Sequence, residues 1–279
     1  MVDVRKDDEG NALLSPEKEK ALAERFLDLA CVMERLRRDC PWDREQTPQS
    51  LRRYILEEAY EVLEAIDKKD WAELCDELGD FTLQVVFQAK IQSESDRFDL
   101  EDVLKGIVDK MVRRHPHVFS GTGVVDAAEV AANWDAIKRQ EKSREGMGSL
   151  LDGLPRNLPA LLESYKLTRK AATAGFDWER AEDVFEKIQE ELGETRDAAS
   201  SGDREHLGEE LGDLLFVVAN LVRKYGFEPE ETLRLANRKF QRRFRTMERL
   251  AQEKGQDFAE IGLENQEALW QASKRQEKS

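Results

Sequence analysis

The sequence predicts an all-α protein built as a tandem repeat of two four-helix-bundle domains. Apolar residues recur at the three- and four-residue spacing of a helix face, as in Leu74, Leu78, Phe81 and Val85. No alternating run of useful length marks a strand. An acidic pattern, Glu57-Glu58-x-x-Glu61 followed by Glu77-x-x-Asp80, returns as Glu190-Glu191-x-x-Glu194 and Glu210-x-x-Asp213. Each member stands 133 residues after its counterpart. Five carboxylates held in one register mark a duplicated unit of domain size. The apolar stripe is duplicated with them as Leu207, Leu211, Leu214 and Val218, and both stripes are expected to face a core.

Residues 1–14 are polar and read as a flexible N-terminus. Ser15-Pro16 supplies an N-cap and a first-turn proline for a helix to about Arg38, ended by Cys40-Pro41. Thr47-Pro48 is expected to start the next helix, carrying the first acidic motif through Ile66. Asp70 opens a second long helix, and Asp99 caps a third from about Leu100 to Arg114, before His115-Pro116. A helix around 127–142 closes the N-terminal domain, 15–145. Residues 146–158, rich in Gly, Ser, Asp and Pro, read as a linker. The C-terminal domain, 159–279, repeats the plan with helices near 159–174, 180–199, 204–225, 229–254 and 264–277. Gly79 and Gly212 sit mid-helix, where glycine costs about 1 kcal/mol relative to Ala. Close approach of a helix or ligand is the expected reason.

Of the 279 residues, 37% are charged and 40% hydrophobic, a profile of long amphipathic helices. A formal charge of −15 argues against a nucleic-acid polymer or an anionic membrane as partner. Three cysteines without a CxxC pair fit a reducing compartment better than a disulfide framework. Neither an apolar leader core nor a membrane-length apolar run is present, so a cytoplasmic location is expected.

Carboxylates three and four apart share a helix face. Glu58 and Glu61, with Glu77 and Asp80, are therefore placed to converge from two adjacent helices, and so are Glu191, Glu194, Glu210 and Asp213. Bare carboxylates brought together repel, and a divalent cation reverses that sign. Oxygen donors without His or Cys select Mg²⁺, with Mn²⁺ as a substitute. The ordinary alternative is a solvated acidic face, and duplication in identical spacing argues against it. Glu190 lies one step round the helix, placed for a second metal or for orienting a water. About one helix later, Lys110 and Arg114 parallel Lys239 and Arg243 at an offset of 129, with Arg242 adjacent. Either a basic helix pairing with acidic neighbours or a phosphate clamp would account for them. Trp134 and Lys138 parallel Trp270 and Lys274 at an offset of 136, within Lys-Arg-Gln-Glu-Lys in both copies. These tryptophans are core anchors or platforms for a base. Carboxylates, metal and cations together describe a site for a polyphosphate ester. A ferritin-like di-iron bundle is excluded, because no Glu stands three residues before His115, His117 or His206.

Taken with Cys40-Pro-Trp-Asp43, Arg113-Arg-His-Pro-His-Val-Phe119 and Gly175-Phe-Asp-Trp178, these motifs resemble the MazG family of nucleoside triphosphate pyrophosphohydrolases, in its two-domain bacterial form. The resemblance covers nearly everything from about residue 20 onward. It implies Mg²⁺-dependent cleavage of NTPs and dNTPs between the α and β phosphorus, giving a nucleoside monophosphate and diphosphate, and homodimers of paired helical domains. Carried over by residue, Glu191, Glu194, Glu210 and Asp213 match the family's metal ligands. Lys239, Arg243, Trp270 and Lys274 match nucleotide contacts, and Lys187 and Glu190 precede the ligands on their helix. The first copy keeps Glu58, Glu61, Glu77, Asp80, Lys110, Arg114, Trp134 and Lys138, but Arg114 runs into His115-Pro116 where Arg243 continues into Phe244-Arg245. The C-terminal copy is therefore the expected working site. Two other readings stay open: a nucleotide-sensing module without turnover, and a related phosphohydrolase acting on phosphoribosyl-ATP or dUTP.

Overall fold

Serine and aspartate caps and proline starts set most helix starts among the described residues. The computed structural model describes residues 3–7, 9–120, 126, 129–130, 133–134, 137, 149–155 and 157–277. Among these, every regular element is a helix, and one isolated antiparallel bridge joins Lys6 to Ala12. The chain divides into two compact units, Met1–Glu141 and Lys142–Ser279. The helix expected around 127–142 and the start of the 146–158 linker fall largely outside the described residues.

In the first unit, α1 (Pro16–Asp39) begins at the Ser15 cap, whose side chain accepts from the Lys18 amide. A short α2 (Pro41–Glu45) follows at once. Pro48 does not start the next helix. Thr47 and Ser50 instead exchange side-chain and backbone hydrogen bonds in a turn, and α3 (Arg52–Lys68) begins after it. α3 packs along α4 (Trp71–Ser93), which also touches α1 and α5 (Leu100–Arg114). α5 stops where Pro116 begins the short α6 (Pro116–Phe119). The core gathers Met33, Leu51, Val86 and Phe87, with Leu29, Tyr54 and Leu83 against them.

Arg37 fastens this unit. Its side chain is 9% exposed, and it donates from Nε to Glu94 Oε1 at 2.9 Å and from Nη1 to the carbonyls of Asp43 and Gln46. One guanidinium thus joins the end of α1, the α2 loop and the end of α4. Arg37→Ala is expected to cost about 2–3 kcal/mol in urea unfolding at neutral pH, because the carbonyls and Glu94 lose a charged donor. The hydrogen bond from Arg37 holds the Glu94 carboxyl below its usual range. That contribution is present above the ordinary carboxylate pKa and disappears as pH falls through the depressed one. The gap between variant and parent should narrow accordingly in acid.

The second unit repeats the plan: α7 (Ala160–Ala172), α8 (Asp183–Ser201), α9 (Arg204–Lys224), α10 (Pro229–Glu253) and α11 (Gly262–Gln276). α8 packs along α9, α9 touches α7 and α10, and α10 packs on α7 and α11. Met247, Ala251 and Leu269 form a core with Phe244, Phe258 and Trp270. α10 runs ten residues past Arg243 where α5 ends at Arg114, and those residues build the packing against α11.

The duplication reaches the backbone. α3 and α8 end at equivalent residues, and each hands over through one left-handed residue, Lys69 at φ 56° or Gly202 at φ 77°. An aspartate then caps the next helix. Asp70 accepts from the amides of Ala72 and Glu73, and Asp203 from those of Glu205 and His206.

Two further expectations change. The apolar stripes face their own unit's core only in part: Leu74, Leu207 and Leu214 are half-buried, whereas Leu78 is 49% and Leu211 45% exposed, and Phe81, Val85 and Val218 are exposed too. The core uses the neighbouring face, with Val86, Phe87 and Ala89 on α4 and Val217 and Ala219 on α9. Helical spacing defines an apolar face but not what covers it. Nor does a neighbouring helix of either unit approach the mid-helix glycines, since a β-carbon at Gly79 or Gly212 would meet nothing within 4 Å, which leaves the ligand half of that expectation standing.

Candidate metal centre and basic cluster

The two helix hairpins bring carboxylates from separate segments together. In the second unit, one oxygen each from Glu191, Glu194 and Glu210 lie within 4.8 Å of one another, and in the first unit Glu58, Glu77 and Asp80 do the same. Asp213 stands outside the first of these groups and Glu61 outside the second. The members common to both are the equivalent pairs Glu58/Glu191 and Glu77/Glu210, one from each arm of the hairpin. Each aspartate-capped turn fixes the phase between the arms, so helical spacing then aims the side chains at each other.

In each group the nearby like charges raise at least one carboxyl. Glu194 is exposed, yet partial desolvation, and then the charges of Glu191 and Glu210, push its carboxyl above the usual range. Burial, Asp80 and Glu61 raise Glu58 in the same way, and burial, Glu61 and Asp80 raise Glu77. Donors around an octahedral Mg²⁺ at about 2.1 Å lie roughly 3–4 Å apart, so groups within 4.8 Å need only small side-chain adjustment to hold it. Hard oxygen donors, repelling one another beside an apolar face, fit a hard divalent cation.

Glu191 is 5% exposed, and Lys187, one turn earlier on α8, is its cation. Lys187 Nζ lies 2.8 Å from both Glu190 Oε1 and Glu191 Oε1, and these bonds raise the lysine pKa. The first copy has Tyr54 at the equivalent position, so Glu58 lacks this partner. Lys187 thus ties Glu190, the carboxylate expected to orient a water, to the carboxylate group. His206, placed in no role by the sequence reading, lies 3.5 Å from Glu210 Oε1. Its place four residues before Glu210 was the available signal.

On α10 and α11 the basic residues meet the tryptophan. The Arg243 guanidinium lies over the Trp270 ring at 5.5 Å and Lys274 Nζ at 5.9 Å, while the ring itself packs on Phe240 and the α10–α11 core. Trp270 therefore both anchors the α10–α11 packing and carries cations on its ring. Arg243 Nε donates to Glu277 Oε2 at 2.7 Å, and Arg242 lies 3.5 Å from Glu277 Oε1. Lys239 is exposed one turn before Arg243. The first copy repeats the stack, with Arg114 over Trp134 at 6.0 Å, and adds His115 edge-on at 4.7 Å. Lys138 lies outside the described residues.

Among the described residues, no helix is long and apolar enough to cross a membrane. The sequence profile described as the MazG nucleotide pyrophosphohydrolase domain matches the chain twice, over residues 46–119 and 180–247. Both matches contain the acidic hairpin and the basic helix. The nucleoside triphosphate pyrophosphohydrolase of Escherichia coli (strain K12) is 44% identical over 254 residues, covering 89% of this chain and 97% of that protein. The nucleoside triphosphate pyrophosphohydrolase/pyrophosphatase MazG of Thermotoga maritima is 41% identical over 251 residues, 89% of this chain and 95% of that one. The uncharacterized protein YabN of Bacillus subtilis is 45% identical over 264 residues, which is 94% of this chain and 54% of YabN.

Proposed function

The chain belongs to the MazG family, in the form that carries the domain twice, and from this premise we infer that it is a nucleoside triphosphate pyrophosphohydrolase, a hydrolase of phosphoric anhydride bonds. The observation that carries the reading is the convergence of Glu191, Glu194 and Glu210 on one point within the unit that also sets Arg243 and Lys274 on Trp270. The proposed reaction is (d)NTP plus water to (d)NMP plus diphosphate, serving control of the nucleotide pool or a stress response. Glu191, Glu194 and Glu210, completed by Asp213, would hold Mg²⁺, or Mn²⁺ in its place. When bound, that ion would supply charge neutralisation to the phosphate chain and acidity to a water.

The chain's own residues do the rest. Glu190, held by Lys187 beside Glu191, orients the water toward the α-phosphorus. Lys239 and Arg243, with Arg242 beside them, take the phosphate oxygens and stabilise charge on the departing diphosphate. Trp270 and Lys274 flank the nucleotide as platform and point charge. The first copy, with Glu58, Glu61, Glu77 and Asp80, is proposed as a second metal site of different surroundings, since it lacks Lys187. The exposed apolar faces on α3, α4, α8 and α9 support a homodimer, and the reading places the protein in the cytoplasm.

Hydrolysis in ¹⁸O-water tests the attack site. Label is expected in the nucleoside monophosphate. Label in the diphosphate would contradict attack at the α-phosphorus.

A further inference from the structure

The cationic pair assigned to substrate phosphate already holds an anion. Glu277 stands at the C-cap of α11, one residue past the last helical residue, and its two carboxylate oxygens are divided between two arginines. Oε2 accepts from Arg243 Nε at 2.7 Å, and Oε1 lies 3.5 Å from Arg242 Nη2. Two oxygens of one group shared between neighbouring guanidinium groups is the pattern that a phosphate's non-bridging oxygens adopt. The Arg243 side chain is 18% exposed and that of Glu277 30%, so the contact is shielded but not sealed. Arg243 also lies over the Trp270 ring, at 5.5 Å from its centroid. The acid recurs with its arginines in the duplicated sequence: Glu141 stands 136 residues before Glu277, in the first copy's Lys-Arg-Gln-Glu-Lys. Glu141 itself lies outside the described residues.

We propose that Glu277 is a resident competitor for the phosphate seat, a carboxylate that occupies Arg242 and Arg243 until the triphosphate displaces it. The inference rests on the reading of those arginines as substrate ligands. A position at a helix end suits the role, because terminal turns open at small cost while the core of the helix stays packed. The gate lowers apparent affinity by the fraction of time the seat is open, and holds the arginines ordered in the absence of substrate. A partly exposed ion pair of this kind closes the seat most of the time without closing it firmly, so its removal tightens binding by about fivefold.

The test is calorimetric titration of the full chain with inorganic triphosphate in the presence of Mg²⁺, comparing the parent, Glu277→Gln, Glu277→Asp and Arg243→Gln. Glu277→Gln should bind about fivefold tighter. Glu277→Asp should fall between it and the parent, because the shortened carboxylate cannot span both arginines. Arg243→Gln should bind more weakly. Unchanged or weaker binding by Glu277→Gln overturns the gate, since a carboxylate that merely positions Arg243 would lose affinity when neutralised. Undiminished binding by Arg243→Gln instead overturns the phosphate-clamp reading itself, and the gate with it. Should Glu277→Gln fold poorly, the Asp variant decides: tighter binding than the parent supports the gate, and parent-like binding rejects it.

Discussion

Glu191→Gln is expected to reduce kcat/KM by at least about a thousandfold, equivalent to roughly 4 kcal/mol of lost transition-state stabilisation. Glu191 is the most buried member of its carboxylate group and sits in hydrogen-bonding contact with Lys187. The substitution is nearly isosteric and removes a negative charge from a group whose members repel one another, so the metal-free fold should not suffer. Lys187 retains Glu190 as a partner. Helix content by circular dichroism should match the parent, while added Mg²⁺ fails to restore diphosphate release to the parent's rate. Turnover within tenfold of the parent would remove Glu191 from the metal centre.

The second large effect is on stability. Divalent metal should raise the melting temperature, and the rise should grow with pH. The carboxyls of Glu58, Glu77 and Glu194 are held above their usual range by burial and by like charges. A carboxyl whose folded pKa is raised binds more protons folded than unfolded, so metal-free stability falls as pH rises through that window. Metal competes with those protons. Near the ordinary glutamate pKa it must displace them, and at neutral pH it meets ionised carboxylates. At a hundredfold excess over its dissociation constant, a ligand of the native state adds about 2.7 kcal/mol per site. Scanning calorimetry with Mg²⁺, Mn²⁺ and EDTA at pH 5 and pH 7.5 measures the difference. An equal shift at both pH values would mean that the ion binds elsewhere.

The hairpins were legible because their signals are local. Asp70 and Asp203 cap the amides just beyond them, and carboxylates three and four apart need only a helix to share a face. The paired stacks, Arg114 on Trp134 and Arg243 on Trp270, lie where the two offsets align the copies. Features that depend on tertiary neighbours were hidden. The direction of the Leu78 and Leu211 stripes turns on what covers them, which periodicity does not encode. Thr47-Pro48 carried the composition of a helix start, yet reciprocal bonding between Thr47 and Ser50 delays α3 to Arg52. The grouping itself was only partly readable, since Asp213 and Glu61 fit the spacing but stand outside the close triads. Spacing specifies a face to within a turn, whereas side-chain rotamers decide which oxygens meet.

The joint between the arms of each hairpin has a consequence for how this chain tolerates changes in length. Each residue advances an α-helix by about 100°, so a single insertion or deletion between Lys68 and Trp71, or between Ser201 and Arg204, would swing Glu77 or Glu210 a quarter-turn or more off target. No rotamer of Glu could make up that rotation. Loops elsewhere can lengthen and leave the acids aligned, but these two joints admit one spacing, like the teeth of a timing gear.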